Sequence, residues 1–404
     1  MTLSIDENRR LTEVGPGTPM GDLLSHYWMP VAVSVGWEPG QVRPVELLGR
    51  RFALFRRTDG SWSMLDERCP HRGTSLAFGM VEERGLRCPY HGWLFSGQGA
   101  CLDQPNEDPS LGFKDRVTQP AYPVRELGGL VFAYLAPGTP PELPRFDLMV
   151  ETDVDVSIRT AVIDCNWLQI VENGLDPVHL EWLHGHFANH QNRQSGNEDL
   201  YEVAHHEELG FDTDDLGIVK RRLLTEQDRA EEDWAVGQLV LFPAAMYVSN
   251  RNFRSLQFRV PLDDVRTWHI WYEVRGRGAA APAPGAEIRF PGRPGAGRGS
   301  DDDTATGTRY HLSEAEIKHA DGSFNLDTID GQDVMAWVTQ GAIADRTRER
   351  LGGADRGITL LRRLLFEQLT AVEQGLRPRW SDLGADVIAM PRRTQSRPIL
   401  SELT

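Results

Sequence analysis

Cys69-Pro70-His71 is followed, after sixteen residues, by Cys88-Pro89-Tyr90-His91-Gly92-Trp93. Two thiols and two imidazoles are thus carried on two short loops. Cys-x-His with Cys-x-x-His suits a [2Fe–2S] centre in which cysteines hold one iron and histidines the other. Neutral imidazoles remove negative charge from their iron, which raises the potential and makes an intermediate electron carrier. Two cysteines and two histidines are also a zinc set. Zinc ribbons, however, pair Cys-x-x-Cys with a like knuckle or with closely spaced histidines, and neither pattern occurs here. Pro70, Gly73, Pro89 and Gly92 suit tight loops whose backbone approaches a cluster closely. The pattern favours the cluster over zinc.

A second constellation runs from Glu172 to Gly185 and contains Asn173, Asp176, His179 and His184. Two histidines and one carboxylate, with open coordination positions, make the facial triad of non-haem Fe(II) oxygenases. His179 and His184 are five residues apart, which in a regular α-helix turns the second side chain about 140° from the first. A π-type turn would bring both onto one face, and such bulges favour functional sites. His186 shares a face with His179 but lies about 10 Å along the axis, too far for one ion. His184 with a distorted helix is therefore preferred over His186, although spacing alone leaves two surface histidines an equal alternative. Asp176 before Pro177 reads as a helix start, with Asp as N-cap and Pro in the first helical position. A carboxylate one turn before an iron-bound histidine can also hold that ring's Nδ1–H.

The elements that must position these groups belong to a chain of 404 residues, long enough for two or three domains. Hydrophobic residues make up 40%, and the net charge of −16 argues against a nucleic-acid partner. No apolar run reaches the roughly 18 residues that span a bilayer. Residues 1–10 have no apolar stretch of the secretory type, and the four cysteines fit a reducing cytoplasm. Cys101 and Cys165 read as small buried side chains. Residues 1–27 form a turn-rich N-terminal segment with a short helix near Met20–His26. Residues 28–140 are strand-rich, with strands such as Phe52–Phe55 and Leu130–Leu135 between Gly, Pro and Asp-Gly turns, as in a small sandwich or barrel. The Pro-rich stretch 136–144 marks the boundary to a mixed region, 141–404. Within that region, 166–184 is helix-like, and Leu239–Phe242 and Thr267–Val274 are strand candidates. Residues 276–307 read as a flexible loop. Ile358, Leu361, Leu365, Leu369 and Val372 predict a helix over 357–374, with Gly375 as its C-terminal stop and Pro378 beyond.

Cys-Pro-His-Arg-Gly and Cys-Pro-Tyr-His-Gly-Trp resemble the two cluster loops of the Rieske domain in the ring-hydroxylating oxygenases. The string Asn-x-x-Asp-x-x-His-x₄-His, about 90 residues later, resembles the mononuclear-iron motif of the same family. The resemblance extends over nearly the whole chain, from Gly15-Pro-Gly-Thr-Pro-Met20 to the helix start at Asp355–Arg363. It implies an α+β protein: an N-terminal all-β Rieske [2Fe–2S] domain and a helix-on-antiparallel-sheet catalytic domain. Cys69 and Cys88 would ligate one cluster iron, His71 and His91 the other. His179 and His184 would bind a mononuclear Fe(II). Its carboxylate, in the family, comes from a distant helix as Asp followed seven residues later by Gln. Asp333 with Gln340 matches, and Asp327, Asp330 and Asp345 are its neighbouring competitors. Asp345–Gly352 resembles the phthalate-dioxygenase-like branch, with Arg350 where that branch has His. In the family the residue at Asp176 bridges to a cluster histidine of a neighbouring subunit.

The implied function is that of an oxygenase component. It takes O₂ and electrons from a separate NAD(P)H-dependent reductase and hydroxylates or demethylates an aromatic substrate, expected to be an aromatic carboxylic acid. No Gly-x-Gly-x-x-Gly follows a strand and no plant-type ferredoxin spacing occurs, so the reductase, with flavin and ferredoxin-type centres, must be another protein. The family assembles as a homotrimer or dimer of trimers. The alternatives are a Rieske-type electron carrier and a zinc-binding structural protein. The 260 residues after the Pro-rich boundary, with their own His/His/Asp set, argue against the carrier. On the strand-like run Ile218–Leu224, Lys220 and Arg222 share one face and Arg221 takes the other. One of these, or Arg251 or Arg254, is a candidate to hold a substrate carboxylate.

Overall fold

The structure is a computed structural model that describes residues 2–199, 201–250, 253–277, 300–303, 306–393 and 400–402. Two short helices open the chain. Helix α1 (Ile5–Thr12) is closed by a reciprocal cap, in which Ser4 Oγ accepts the Glu7 N–H and Glu7 accepts the Ser4 N–H. Helix α2 (Pro19–Ser25) starts on the Thr18 hydroxyl, which accepts the Gly21 N–H, with Pro19 in the first turn. Each such cap is worth about 1 kcal/mol. Both helices bury their apolar sides: Leu11, Met20, Leu23 and Leu24 are fully enclosed.

Three small antiparallel sheets follow. One joins Met29–Val33, Leu130–Ala133 and Val124–Leu127. The second joins Val42–Leu47, Arg50–Arg56, Trp62–Asp66 and Ala121–Tyr122. The third joins Met80–Glu82, Gly85–Arg87, Leu94–Phe95 and Cys101–Asp103. The run Phe52–Phe55 is buried on both sides, so its residues face two separate cores. Ala53 and Phe55 join Leu65, Leu76, Leu86, Trp93 and Phe95 around the two motif cysteines. Phe52 and Leu54 join a larger core that continues into the rest of the molecule.

The second half is built on a nine-stranded sheet. In chain order its strands are β1 (Val154–Ile163), β2 (His206–Thr213), β3 (Gly217–Leu224), β4 (Gln238–Leu241), β5 (Ala245–Ser249), β6 (Arg254–Pro261), β7 (Thr267–Gly276), β8 (Ser300–Asp303) and β9 (Thr308–Glu314). Their spatial order is β2-β3-β4-β5-β6-β7-β1-β9-β8. All pairs are antiparallel except β1 with β9, which is parallel, so the sheet is mixed rather than purely antiparallel. Part of the expected loop 276–307 is the edge strand β8, while 278–299 and 304–305 lie outside the described residues.

Register assigns each residue to a face, because side chains alternate along a strand and cross-strand partners share a side. Val219, Leu239, Tyr247, Leu256, Tyr272 and Ile158 form one row. That face packs on the N-terminal strands, where Phe258 meets Phe132 at 5.9 Å between ring centres. The next row, Ile218, Val240, Met246, Gln257, Trp271 and Arg159, faces the opposite way. Helix α3 (Trp167–Gly174) lies against this second face. A Cβ on Gly174 would stand 3.3 Å from Met246 Sδ and 3.7 Å from Val240. The expected helical stretch 166–184 is therefore three pieces: α3, a turn, and α4 (Val178–Glu181) running into a π-helical segment, Trp182–Phe187. Helices α5 (Ile329–Thr339) and α6 (Arg356–Glu373) complete this layer. Gly375 follows α6 with φ 73°, as a left-handed helix stop requires. At Gly357 the helix backbone comes so close to β2 that a Cβ would lie 2.4 Å from the Phe211 ring.

Candidate metal centres

The two cysteine–histidine loops fold alike. The Gly73 N–H donates to the Cys69 carbonyl and the Cys69 N–H to the Thr74 carbonyl, at 2.8 and 2.9 Å. The Gly92 N–H donates to the Cys88 carbonyl and the Cys88 N–H to the Trp93 carbonyl, at 3.1 and 2.8 Å. Gly73 and Gly92 both have φ near +75°, which explains glycine at those two positions. Arg87 pins the second loop by donating to the Gly92 carbonyl while it is held by Glu82 and Asp103. Gln119 ties down the approach to the first by donating to the carbonyls of Asp66 and Arg68. Cys69 and Cys88 are buried, and the His71 and His91 rings stand 4.4 Å apart at the surface side. His71 stacks on Trp93, and Tyr90, half exposed, lies against His91. Burial pushes the Cys69 thiol up to about 11, against the pull of the His71 and Arg72 N–H groups. A buried thiol of that kind stays protonated until a metal takes the thiolate and the proton is released. Two inner sulfurs and two outer nitrogens fit a two-iron cluster whose histidine edge faces solvent.

The second site forms at the join of α4, the π-helical segment and α5. His179, His184 and Asp333 each offer one ligand atom, and these atoms lie within 4.8 Å of one another. Asp333 Oδ1 is 3.2 Å from His184 Nε2 and 3.8 Å from His179 Nε2. The π turn supplies the rotation that a regular helix would not, as expected for a spacing of five. His186 is exposed beside Trp182 and points away. Asp330 is engaged by Arg159, Asp345 caps Thr347 and Asp327 is exposed. Gln340 is exposed too, returning a hydrogen bond to its own helix.

One residue of the site was not visible in the spacing. Gln332, next to Asp333 and buried, accepts the His184 Nδ1–H at 2.9 Å. Its amide nitrogen donates to the Leu326 carbonyl at 2.8 Å, which fixes the amide's orientation. His184 must then carry its proton on Nδ1, leaving the Nε2 lone pair aimed at Asp333. Among the described residues, His184 Nε2 and Asp333 Oδ1 are buried without a hydrogen-bond partner. Orphan acceptors pointed at each other are what a cation between them would satisfy. Burial holds the His179 ring down at about 3, so it stays neutral and ligating across the physiological range. For His184 burial acts in the same direction, but the contacts to Asp333 and Gln332 outweigh it and raise the ring overall. The donor set of two imidazoles and one carboxylate fits Fe(II).

Asp176 caps the iron-site helix: its Oδ1 accepts the Val178 N–H at 2.8 Å. Pro177 already has helical angles, one residue before the assigned start of α4. The other oxygen, Oδ2, lies 3.9 Å from His179 Nδ1, beyond hydrogen-bond length. Behind this turn Glu172 is buried and accepts from both Arg346 and Arg362, at 2.7 and 2.6 Å, while Arg362 also holds Glu349. Arg346 reaches on to Asn8 of α1.

The sheet face under the site is rich in buried cations. Of the sequence candidates, Arg221 is bound to Asp212. Arg222 shares Asp233 with Arg393. Arg254 stands on the opposite face, tied to Asp147 and Glu151, and Arg251 lies outside the described residues. Lys220 is buried on the site side, with no carboxylate within 4.0 Å among the described residues. Burial, then Arg222, pulls its ammonium down to about 7, against Asp176 and Asp333. Arg259, missed in the sequence, is buried on the same face. Burial lowers it to about 9, with Asp333 the acid that opposes this. His269 pairs with Arg259 across the strands. It is fully enclosed, both ring nitrogens lack partners among the described residues, and it stacks on Trp337 one turn beyond Asp333. Burial and the two nearby arginines keep it neutral.

Residues 27–123 match the family model of the Rieske [2Fe–2S] domain, and residues 219–391 match that of a LigXa C-terminal-like domain. Among characterised proteins, the chain is 36% identical over 381 residues to the 5,5'-dehydrodivanillate O-demethylase oxygenase subunit of Sphingobium sp., covering 93% of this chain and 83% of the relative. It is 31% identical over 412 residues to the phthalate 4,5-dioxygenase oxygenase subunit of Pseudomonas putida, covering 97% and 91%. The oxygenase chain in the reduced oxygenase–ferredoxin complex of carbazole 1,9a-dioxygenase shares the fold, with a TM-score of 0.60 at 19% identity over 93% of this chain and 98% of that one. The paired loops, the His/His/Asp site and full-length similarity to two oxygenase subunits agree: this chain belongs to the Rieske non-haem iron oxygenases, as an oxygenase subunit that carries a Rieske [2Fe–2S] cluster and a mononuclear iron.

Proposed function

We propose that this oxygenase subunit acts on a small aromatic carboxylic acid, by ring hydroxylation or O-demethylation, with electrons from a separate flavin- and ferredoxin-type reductase. The observation that carries this reading is the convergence of His179, His184 and Asp333 on the side of the sheet where Lys220 and Arg259 are buried with no carboxylate within 4.0 Å among the described residues. Cys69, Cys88, His71 and His91 hold the cluster, and His179, His184 and Asp333 hold the mononuclear iron. The cluster supplies single electrons, and the iron supplies open positions for O₂. The chain's own part is to orient His184 through Gln332, to keep the His179 imidazole neutral by burial, and to seat the substrate beside the iron site. Relatives named for phthalate, 3-chlorobenzoate and phenoxybenzoate support an acid as substrate. We further take residues 28–140 as the Rieske domain and 141–404 as the catalytic domain.

The assembly proposed is a homotrimer or a dimer of trimers in which Asp176 links His179 to a cluster histidine of the neighbouring subunit. Two features support it. The cluster histidines lie at the surface, and an open cleft of about 340 Å³ flanks the iron-site helix, lined by Val178, Trp182, His205 and Arg356. Trp182, at 60% exposure, is a large apolar side chain with no cover in the single chain. A cytoplasmic setting is supported by four cysteines that form no disulfide. No described helix is long and apolar enough to cross a membrane.

The test is turnover of benzoate, phthalate, phenoxybenzoate and methoxybenzoate analogues with a surrogate reductase. The reading expects substrate-dependent O₂ consumption with an oxygenated or demethylated product. Normal reduction of the cluster with no product from any aromatic acid would contradict it.

A further inference from the structure

The histidine edge of the cluster site carries a surface that the iron chemistry leaves unused. A continuous run of side-chain contacts crosses it. Arg72 lies over the Tyr90 ring at 5.5 Å, and Tyr90 lies 3.8 Å from the His91 ring. His91 stands 4.4 Å from His71, and His71 stacks on Trp93 at 4.5 Å. Phe113 meets Trp93 edge-on at 5.9 Å, and Arg116 lies over Phe113 at 5.6 Å. The two ends of this run differ. His91 is half-buried against Tyr90, whereas His71 is exposed and leads through Trp93 to the segment 109–116.

That segment serves contact rather than the core. Its two 3₁₀ turns, Pro109–Leu111 and Lys114–Arg116, bury none of their residues. Leu111 is 66% exposed and Phe113 37%. Large apolar side chains on an exposed loop beside a functional group mark a place where another protein sits. The charges say which kind of protein. The chain as a whole carries −16, yet Arg68, Arg72, Lys114 and Arg116 lie exposed around this edge. None of the four has a carboxylate within 4.0 Å among the described residues. Of the acids on the segment, Asp108 turns back to accept from Ser110, and Asp115 folds toward Gly112. A cationic face on an acidic protein draws an acidic partner to that one place and turns it away elsewhere.

We propose that the electron-donating partner is an acidic iron–sulfur protein that docks on the His71 side of this edge, with Phe113 at the centre of the contact and Lys114 and Arg116 facing its carboxylates. This rests on the reading above that a separate reductase feeds the cluster, and adds where that partner binds and what charge it carries. The donor is oxidised by one electron and the cluster reduced by one; no bond forms or breaks. Electron transfer slows steeply with distance, and the exposed His71 ring gives the short way in. His91, with Tyr90 and Arg72, is left for the bridge to the neighbouring subunit. A redox contact of this kind is small, steered by charge and weakened by salt.

The experiment uses the iron-loaded protein and, as probe, an acidic plant-type [2Fe–2S] ferredoxin. Calorimetry with the oxidised ferredoxin reads binding, and rapid mixing with the reduced ferredoxin reads the rate of cluster reduction from visible absorption. Both are expected to fall at least tenfold between about 0.01 and about 0.1 M salt, as the screening length shrinks from about 30 to about 10 Å. Arg116→Glu should weaken binding and slow reduction at least tenfold at low salt, and Arg116→Lys should keep most of both. Phe113→Ser should weaken binding at every salt concentration. Arg72→Glu, the same charge change at the other end of the run, should cost less than about threefold. Cluster spectrum, reduction by dithionite and oligomeric mass should be unaltered in Arg116→Glu, which shows that it has folded and assembled. Binding unaffected by Arg116→Glu, an equal loss in Arg72→Glu, or affinity independent of salt would overturn the proposal. So would a smaller oligomer in Arg116→Glu, which would make this face a contact between copies of the chain. Reduction of the wild-type cluster by NADH alone would sink the separate-reductase reading and the docking face with it. Docking and cluster reduction as expected, with no product from any aromatic acid, would instead sink the substrate reading and uphold the docking face.

Discussion

At the scale of residues, the groups proposed as ligands were legible in type and spacing, because a metal site restricts both. Cys69, His71, Cys88 and His91 come from two motifs of fixed form, and their loops fold as the glycines require. The His179–His184 spacing demanded a π turn and the structure has one. Asp333 was reachable only through resemblance, since any of several acids in an acidic chain has the right chemistry. Gln332, Arg259 and His269 were not legible, because each acts through a neighbour that only the tertiary fold supplies. Gln332 offers the clearest test at this scale. Gln332→Leu keeps the volume but removes the acceptor that holds His184 Nδ1–H, so the ring is free to rotate or change tautomer. Iron affinity at the mononuclear site should fall about 10–100-fold, read by chelator competition, while the cluster's absorption stays unchanged. Unaltered iron affinity would show that the Gln332 contact does not position the ligand.

At the scale of elements, the long helix over 357–374 and the short one near residue 20 were readable from periodicity and caps, and both are found within a residue or two. The break of 166–184 into three pieces was only half readable: Pro177 marks the restart, but nothing local signals the turn at Leu175. The parallel pairing of β1 with β9 and the edge strand β8 were missed, since strand partners distant in sequence leave no local mark. The break is braced from behind by Glu172, which holds Arg346 before α6 and Arg362 within it. Removing one partner of a buried ion pair leaves uncompensated charge. Glu172→Gln should therefore lower unfolding stability by about 3–5 kcal/mol in chemical denaturation at neutral pH. Burial alone would raise the Glu172 carboxyl, but the two guanidiniums prevail and hold it below its usual 4.5. A depressed carboxyl contributes stability that is present above its unfolded value and lost as pH falls through the folded one. The gap between wild type and Glu172→Gln should thus be full above pH 4.5 and shrink below it. A gap that persists unchanged into acid would contradict this role for the ion pairs.

At the scale of the whole molecule, two metal centres share one chain, yet the proposed bridge at Asp176 sends electrons between chains. Asp176→Asn keeps a group able to cap the helix but loses the charge that would join two histidines. It should fold and keep both centres while losing transfer from cluster to iron, and Cys69→Ala should lose the cluster. Each variant alone is expected to be inactive, and mixed oligomers of the two to recover part of the activity. No recovery on mixing would place the electron path within a single chain. The central claim lies beneath that path: one chain holds a cluster on Cys69, His71, Cys88 and His91 and a separate iron on His179, His184 and Asp333. The most direct measurement is metal and acid-labile sulfide content, with visible absorption, in wild type and His179→Ala. The account predicts about three irons and two sulfides per chain in wild type, as one two-iron cluster and one mononuclear iron require. It predicts the loss of one iron in His179→Ala with the red-brown spectrum retained. Zinc without sulfide in wild type, or a bleached His179→Ala protein, would contradict it.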